Sequence, residues 1–451
     1  MNYVDFKKAL FAKAEAFGFS DWEIYYNAVN SFSVKVFKGE IDEYKNTDAV
    51  GLSFRGTYKG RIGYAYSERM DDTVLDDLVK NAADNAAVIE EEEIEKLYPG
   101  DTSYPEANLY NDSLNKVTAA EKIEKAIALE KCVLAQDPRV KAVDYFQLGT
   151  TESEVKIANS FGLDVSEKSN LAYTFIGVRV EENGVTKVGY EIWHDNDFSK
   201  LDIEKIAKSG VKKAISALGA KSVESGSYPV ILENEVACDF IAAFASTFYA
   251  ENAQKGFSLF GDKKGEVVAA SHLNIRDDGV CEQSFGSASF DSEGVATQQK
   301  AVVENGVLKT LLYNTKSAAK DGVKSTGNGF KASFQASVDT ACTNFYIVPS
   351  DKPLAKLQEG IKKGVMITEM AGMHAGINPI SGDFSVSSTG FLIEDGKLTR
   401  PIEQITVAGN FYSLLKNIEA VGNDLRFDVP NARGTFGTPS LLIKELPVSG
   451  L

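Results

Sequence analysis

Ser33-Val34-Lys35-Val36-Phe37, then Lys38-Gly39-Glu40, then Glu43-Tyr44, alternates apolar and polar side chains on both sides of a short turn. Period two is the signature of a strand with one buried face, and a glycine between two such runs marks a hairpin. The alternation extends over Trp22 to Tyr66, with Asp48–Phe54 and Arg61–Tyr66 read as two further strands around Gly56 and Gly60. On the N-terminal side the period changes. Phe6, Leu10, Ala14 and Phe17 recur at steps of four, four and three, which is helical spacing, and Gly18 is a natural stop.

Towards the C-terminus, helical patterns return at 71–95 and 117–136. A second strand-rich stretch, 138–193, is broken by Asn159-Ser160-Phe161-Gly162 and Asn183-Gly184, and an amphipathic helix fits 200–217. Lys221 to Tyr228 is Ser/Gly-rich and weakly apolar, so a domain boundary is placed there. Beyond it come a short buried strand at Pro229–Leu232, a helix capped by Asn234 and running to about Tyr249, and then short strands with Gly-rich turns. Helices near 352–362 and 409–420 interrupt these. The expectation is an α+β fold of two mixed α/β domains with largely antiparallel sheets, an N-terminal one over 1–220 and a β-rich one over 228–451.

The 451 residues are 43% apolar and carry a formal net charge of −16. Such a surface repels phosphate backbones, and no basic stripe offsets it, so direct nucleic-acid binding is not expected. The acidic run Glu90–Glu93 with Glu95 reads as the solvated end of a helix. No apolar stretch reaches the ~18 residues of a membrane span. Met1 to Lys8 lacks a signal-peptide layout. Cys132, Cys238, Cys281 and Cys342 are scattered and read as reduced core thiols, which points to the cytoplasm.

Catalytic constellations are scarce. His194, His272 and His374 are too far apart in sequence for a paired-histidine helix motif. His272 and Cys281 share a segment with Asp277 and Asp278, but Asp277-Asp278-Gly279 reads better as a turn than as part of a zinc site. Ser317-Ala-Ala-Lys320 matches a Ser-x-x-Lys pattern without its supporting motifs. No nucleophile elbow, P-loop or dinucleotide fingerprint is present.

The second half nevertheless resembles one family over an ordered series of stretches. They run Gly256-Phe-Ser-Leu-Phe-Gly-Asp-Lys-Lys-Gly-Glu266, Asn274-Ile-Arg-Asp-Asp-Gly279, Phe290-Asp-Ser-Glu-Gly294, Glu304-Asn-Gly-Val-Leu308 and Ser325-Thr-Gly-Asn-Gly329. Ser381-Gly-Asp-Phe-Ser385, Ile393-Glu-Asp-Gly396, Val407-Ala-Gly-Asn410, Gly422-Asn-Asp424 and Pro447-Val-Ser-Gly450 follow. In this series the chain is similar to the TldD/PmbA family, historically called modulators of DNA gyrase.

In the TldD branch, a His-Glu-x-x-x-His helix and a C-terminal cysteine hold zinc for peptide hydrolysis. Carried across, the helix positions fall on Ile241, Ala242 and Ser246, and the cysteine falls within Asn431 to Phe436, where none stands. The resemblance is therefore to the PmbA/TldE-like branch, which lacks these ligands. It implies a subunit of a cytosolic peptidase complex, non-catalytic alone, with no cofactor of its own and zinc only on a TldD-type partner. That partner, or a second copy in a dimer, would share a peptide or unfolded-segment substrate. A homodimeric peptide-binding or regulatory protein without proteolytic activity is the alternative. Candidate peptide-binding residues are Ser381, Gly382, Asp383, Phe384 and Ser385, with Ser258, Asn410 and His374; no catalytic or metal residue is assigned.

Overall fold

Residues 1–88 and 96–451 are described by a computed structural model of the chain. The acidic run at 90–95 lies outside the described residues.

The first half is a single antiparallel sheet of six strands, in the order Arg61–Ser67, Glu40–Tyr58, Asp21–Phe37, Val140–Asn159, Asp164–Glu182, Val185–Asp195. Each half of this sheet is a helix, three strands and a second helix. Tyr3–Phe17 and Asp72–Val88 bracket the first set, Ala119–Ala135 and Ile203–Ser216 the second. Local chemistry sets the helix ends. Asn2 accepts from the Asp5 amide, Gly18 closes its helix at φ 101°, and Thr118 with Glu121 forms a capping box.

All four helices cover one face. Even-numbered residues of Asp21–Phe37 point to that face, where Ile24 packs with Phe6, Leu10 and Leu78, and Phe32, Val34 and Val36 pack with Leu129 and Val133. Gly56, expected at a turn, lies inside the continuous strand Glu40–Tyr58. A Cβ there would lie 2.7 Å from both the Asp21 carbonyl and the Phe19 ring, so the glycine serves close packing.

The second half contains a closed barrel. Lys397–Asn410, Asp383–Glu394, Lys363–Ala371, Gly226–Leu232 and Leu441–Ser449 are neighbours in that order, and Thr406 and Val407 pair back onto Ser449 and Val448. Inward residues such as Val230, Val365, Val386, Val407 and Ile443 fill it. Only the pair Lys363–Ala371 and Gly226–Leu232 is parallel among these five. A second six-stranded sheet, containing Ile275–Asp278, Gln299–Glu304, Asn344–Ile347 and Thr435–Thr438, lies beside the barrel and shares its core.

Several of the ordered motif stretches meet in one buried polar seam. Asp277, on the strand Ile275–Asp278 rather than in a turn, is fully buried with the Lys300 ammonium 3.1 Å away. Its carboxylate also accepts from Asn328 Nδ2 at 2.8 Å and from the Thr343 amide at 2.8 Å. Asp291 accepts from the amides of Glu293, Val295 and Gly329, and Glu293 accepts from the Thr315 amide. Burial, with Glu293 close by, holds the Asp291 carboxyl well above the usual range. These carboxylates fix loops; none of them faces an open site.

The halves lock through the helix-free side of the long sheet. Phe334 lies on Gly51, where a Cβ would lie 2.2 Å from its ring, and Lys331 Nζ reaches Ser53 Oγ at 2.9 Å above the rings of Tyr25 and Tyr64. Glu167 accepts from the Ser289 amide at 3.0 Å, and Leu163 fills the space over Gly294.

Removing one partner of a buried, hydrogen-bonded pair leaves an uncompensated charge. Asp277→Ala is expected to cost about 3–5 kcal/mol in urea-unfolding free energy; a loss below 1 kcal/mol would show that the seam does not hold the second half together.

Candidate functional site

The segment where the resemblance places zinc ligands is built for packing. The helix spans Asn234–Phe244 and then tightens into a 3₁₀ turn, Ala245–Phe248, instead of running on to Tyr249. Glu233, not Asn234, occupies the N-cap position, and Asn234 instead donates to the Asp424 carbonyl at 2.8 Å. Phe244 stacks on Phe411 at 4.4 Å with 6° between planes, Phe240 meets Phe384 edge-on at 4.9 Å, and Phe248 lies 5.2 Å from Phe345. Ile241 is buried in the same core, Ala242 packs against it, and Ser246 uses its carbonyl to accept from Asn252. These groups do not fit a zinc ion. Among the described residues, no set of three or more His, Cys, Asp or Glu side chains is placed to hold a metal. The histidines stand apart, His194 half-buried edge-on to Phe285, and His272 and His374 exposed. Ser317 closes a capping box with Asn314.

Most of the sequence-derived candidates meet in one turn at the barrel rim. Asn410 Nδ2 donates to the Ser381 carbonyl at 2.8 Å and to Asp383 Oδ1 at 2.9 Å. Hydrogen bonds from Asn410 and Ser381 hold the Asp383 carboxyl below its ordinary value. Gly382, at φ 82°, sits under the Tyr412 ring with no room for a Cβ. Tyr412 Oη receives the Leu259 amide at 3.2 Å, which brings the loop of Ser258 alongside. Ser258 itself is buried, donating to the Thr247 carbonyl and accepting from the Phe260 amide. Phe384 turns into the core, Ser385 turns outward, and His374 is on the separate short helix Met373–Gly376. Here Ile377 bridges Phe384 on one side while Asn410 pairs with Asp383 on the other, so the backbone of this turn is largely satisfied from within.

A cleft of about 170 Å³ opens elsewhere, beside Asn431–Thr435. Phe330, Lys331, Cys342, Thr343, Asn431 and Thr435 line it. Behind this lining, three buried oxygens have no hydrogen-bond partner, namely Thr343 Oγ1, Thr435 Oγ1 and, next along the strand, Asn344 Oδ1, the last two close to Gly286. Asn344 Nδ2 is committed to the Asp278 carbonyl at 2.7 Å, so its amide oxygen is the free acceptor. A buried unpaired acceptor costs roughly 1–3 kcal/mol. Cys342 is no nucleophile. Burial, with the Asp277 charge nearby, pushes its thiol well above the ordinary value, and Tyr249 Oη lies 3.6 Å from the sulfur. Gly434, at φ 114°, presses on Cys342, where a Cβ would lie 2.5 Å from the carbonyl.

Sequence reasoning marked 431–436 only by an absent cysteine and missed Thr343, Asn344 and Thr435. The available signal was polar Thr343-Asn344 inside an otherwise apolar strand pattern.

Three family models match the chain: PmbA/TldA metallopeptidase domain 1 over residues 22–86, the central domain over 112–218 and the C-terminal domain over 225–450. A metalloprotease PmbA homolog of Haemophilus influenzae is 27% identical over 439 residues, covering 95% of this chain and 92% of its own length. A crystal structure from Thermotoga maritima, of a candidate modulator of a DNA gyrase, superposes with TM-score 0.90 at 31% identity, covering 99% of this chain and all of that one. TldE from Thermococcus kodakarensis shares the fold at TM-score 0.90 and 23% identity, again over 99% and 100% of the two chains.

Next to the cleft, burial and the neighbouring Asp239 raise the Asp428 carboxyl to about 7, although the Phe436 amide donates to it at 2.7 Å. A raised carboxyl means that the folded state binds the extra proton. The stability it confers is full below the unfolded value near 4 and is lost as pH rises through 7. Asp428→Asn is therefore expected to stabilise the protein at pH 8 and leave it unchanged at pH 4; equal melting-temperature shifts at both values would contradict this.

Proposed function

The chain belongs to the PmbA/TldD metallopeptidase family, and from that membership we propose that it is a PmbA/TldE-type cytosolic subunit that handles peptides without metal chemistry of its own. The observation that carries the reading is the fate of the three ligand positions. Ile241, Ala242 and Ser246 belong to an aromatic packing unit, while a cleft lined by polar and apolar groups lies beside Asn431–Thr435. Extended peptides present N–H and C=O groups that polar lining residues can pair. Hydrolysis would then fall to a TldD-type partner, whose zinc would polarise the scissile carbonyl and activate water. In this chain the residues bind and orient. Lys331 and Asn431 of the cleft lining would meet the peptide backbone, and Phe330 offers an apolar wall. The net charge of −16 supports an indirect route for any effect on DNA gyrase.

The purified chain is expected to carry under roughly a tenth of a zinc per molecule and to leave unfolded peptides intact, with cleavage appearing on addition of a TldD-type chain. Stoichiometric zinc with cleavage by the isolated chain would overturn the reading. Peptide binding without partner-dependent cleavage would instead favour the regulatory alternative. Ala432→Trp, at the exposed mouth of the cleft, is expected to weaken binding of a labelled unfolded peptide about tenfold, which is roughly 1.4 kcal/mol, at unchanged melting temperature.

A further inference from the structure

Gly51 lies inside the long strand Glu40–Tyr58, paired with Asn27, and has no positive φ. A glycine at such a place weakens a strand unless another group needs the space. Here the three atoms nearest to a Cβ would all belong to the Phe334 ring, at 2.2 to 2.5 Å. The position is a seat for a ring from the other half of the chain.

Phe334 stands at the tip of a hairpin in which Gly329–Phe330 pairs with Asp339–Thr340. The base of the hairpin is tied into the C-terminal half. The Gly329 amide donates to Asp291 Oδ2 at 2.8 Å, the Lys331 amide to Ser292 Oγ at 3.1 Å and the Ala341 amide to the Asn328 carbonyl at 3.0 Å. The tip is tied to the N-terminal half instead. Tyr64 Oη donates to the carbonyls of Phe334 and Ala336, Gln335 reaches Glu68 at 3.4 Å, and the Tyr66 ring meets Phe334 edge-on at 6.2 Å. Among the described residues, every hydrogen bond that leaves 333–336 ends in the N-terminal half.

Between base and tip stand Phe330 and Lys331, and both line the cleft beside Asn431–Thr435. Lys331 belongs to both anchors, since its amide is on Ser292 while its ammonium lies 2.9 Å from Ser53 Oγ and 5.0 and 4.7 Å from the ring centres of Tyr25 and Tyr64. One wall of the cleft is thus suspended between the two halves. We infer that Phe334 is a positioning residue for the cleft: seated on Gly51, it lets the N-terminal sheet fix where Phe330 and Lys331 stand. A wall fixed in advance loses less freedom when a ligand binds, so the seat contributes to affinity from outside the cleft. The inference deepens the peptide-handling reading and rests on it for an affinity readout, whereas a thiol readout is independent of it.

Gly51→Ala displaces the ring and Phe334→Ala removes it, and neither residue lines the cleft. Melting temperature and circular dichroism verify that each variant is folded. In both, maleimide labelling of Cys342, which lines the cleft, is expected to speed about tenfold by mass spectrometry, while Cys238, buried in the helix Asn234–Phe244, stays slow. Affinity for a labelled unfolded peptide should fall about fivefold. Phe334→Leu, which keeps the seat filled, should restore most of both. Adding Gly51→Ala to Phe334→Ala should change nothing further, because the two act through one contact. Cys342 labelling at the native rate in both folded variants, or effects of the two substitutions that simply add, would overturn the assignment. Faster labelling in a chain that binds no peptide would uphold the positioning role and overturn the peptide reading instead.

Discussion

The stack of Phe244 on Phe411 organises the second half. Phe411 begins the helix Phe411–Asn417 directly after the barrel strand Lys397–Asn410, and Phe244 ends the helix that follows strand Gly226–Leu232. Holding these two rings together fixes both helices over the barrel mouth. Phe240 extends the contact to Phe384 on a third strand, and Phe248 carries it to Phe345 in the neighbouring sheet. A buried aromatic contributes roughly 2–3 kcal/mol by area alone, with about 1 kcal/mol more for a well-placed ring pair. The cluster is thus large against the net stability of most domains.

The same stack explains why this segment can dispense with metal-binding side chains. A helix whose five-apart positions must reach one ion needs a distortion, since they lie about 140° apart on a regular α-helix. The tightening at Ala245 is a distortion of that kind, kept here with Ala, Ile and Ser at the positions concerned. Packing of Phe248 towards Phe260 and Phe345 gives the turn a structural use. The segment onto which the resemblance places zinc ligands is thus part of a core.

Much of the fold was legible. Steps of three and four gave the helix Tyr3–Phe17, and alternation gave the long strands, because local burial on one face writes its period into the sequence. Gly56 misled, since a glycine that relieves crowding against Phe19 looks like one that turns the chain. The barrel was not legible. Its closure depends on parallel pairing of Gly226–Leu232 with Lys363–Ala371, more than a hundred residues apart, and no local pattern encodes that. The motif stretches were recognisable as a series, yet their shared role around Asp277, Lys300 and Asn328 emerges only from burial. The cleft was hidden for the opposite reason, because unpaired Thr and Asn oxygens look like ordinary polar residues until their missing partners are counted.

The pairing of Leu441–Ser449 with Gly226–Leu232 also bears on how the protein is made. While the ribosome is still adding the residues between them, the first of these strands has an unfilled edge and Val230 and Leu232 have no inner layer to join. All six strands of the long sheet have been made by then, whereas the barrel waits for nearly the whole chain. Nascent chains stalled before Leu441 should for that reason be the ones that chaperones hold.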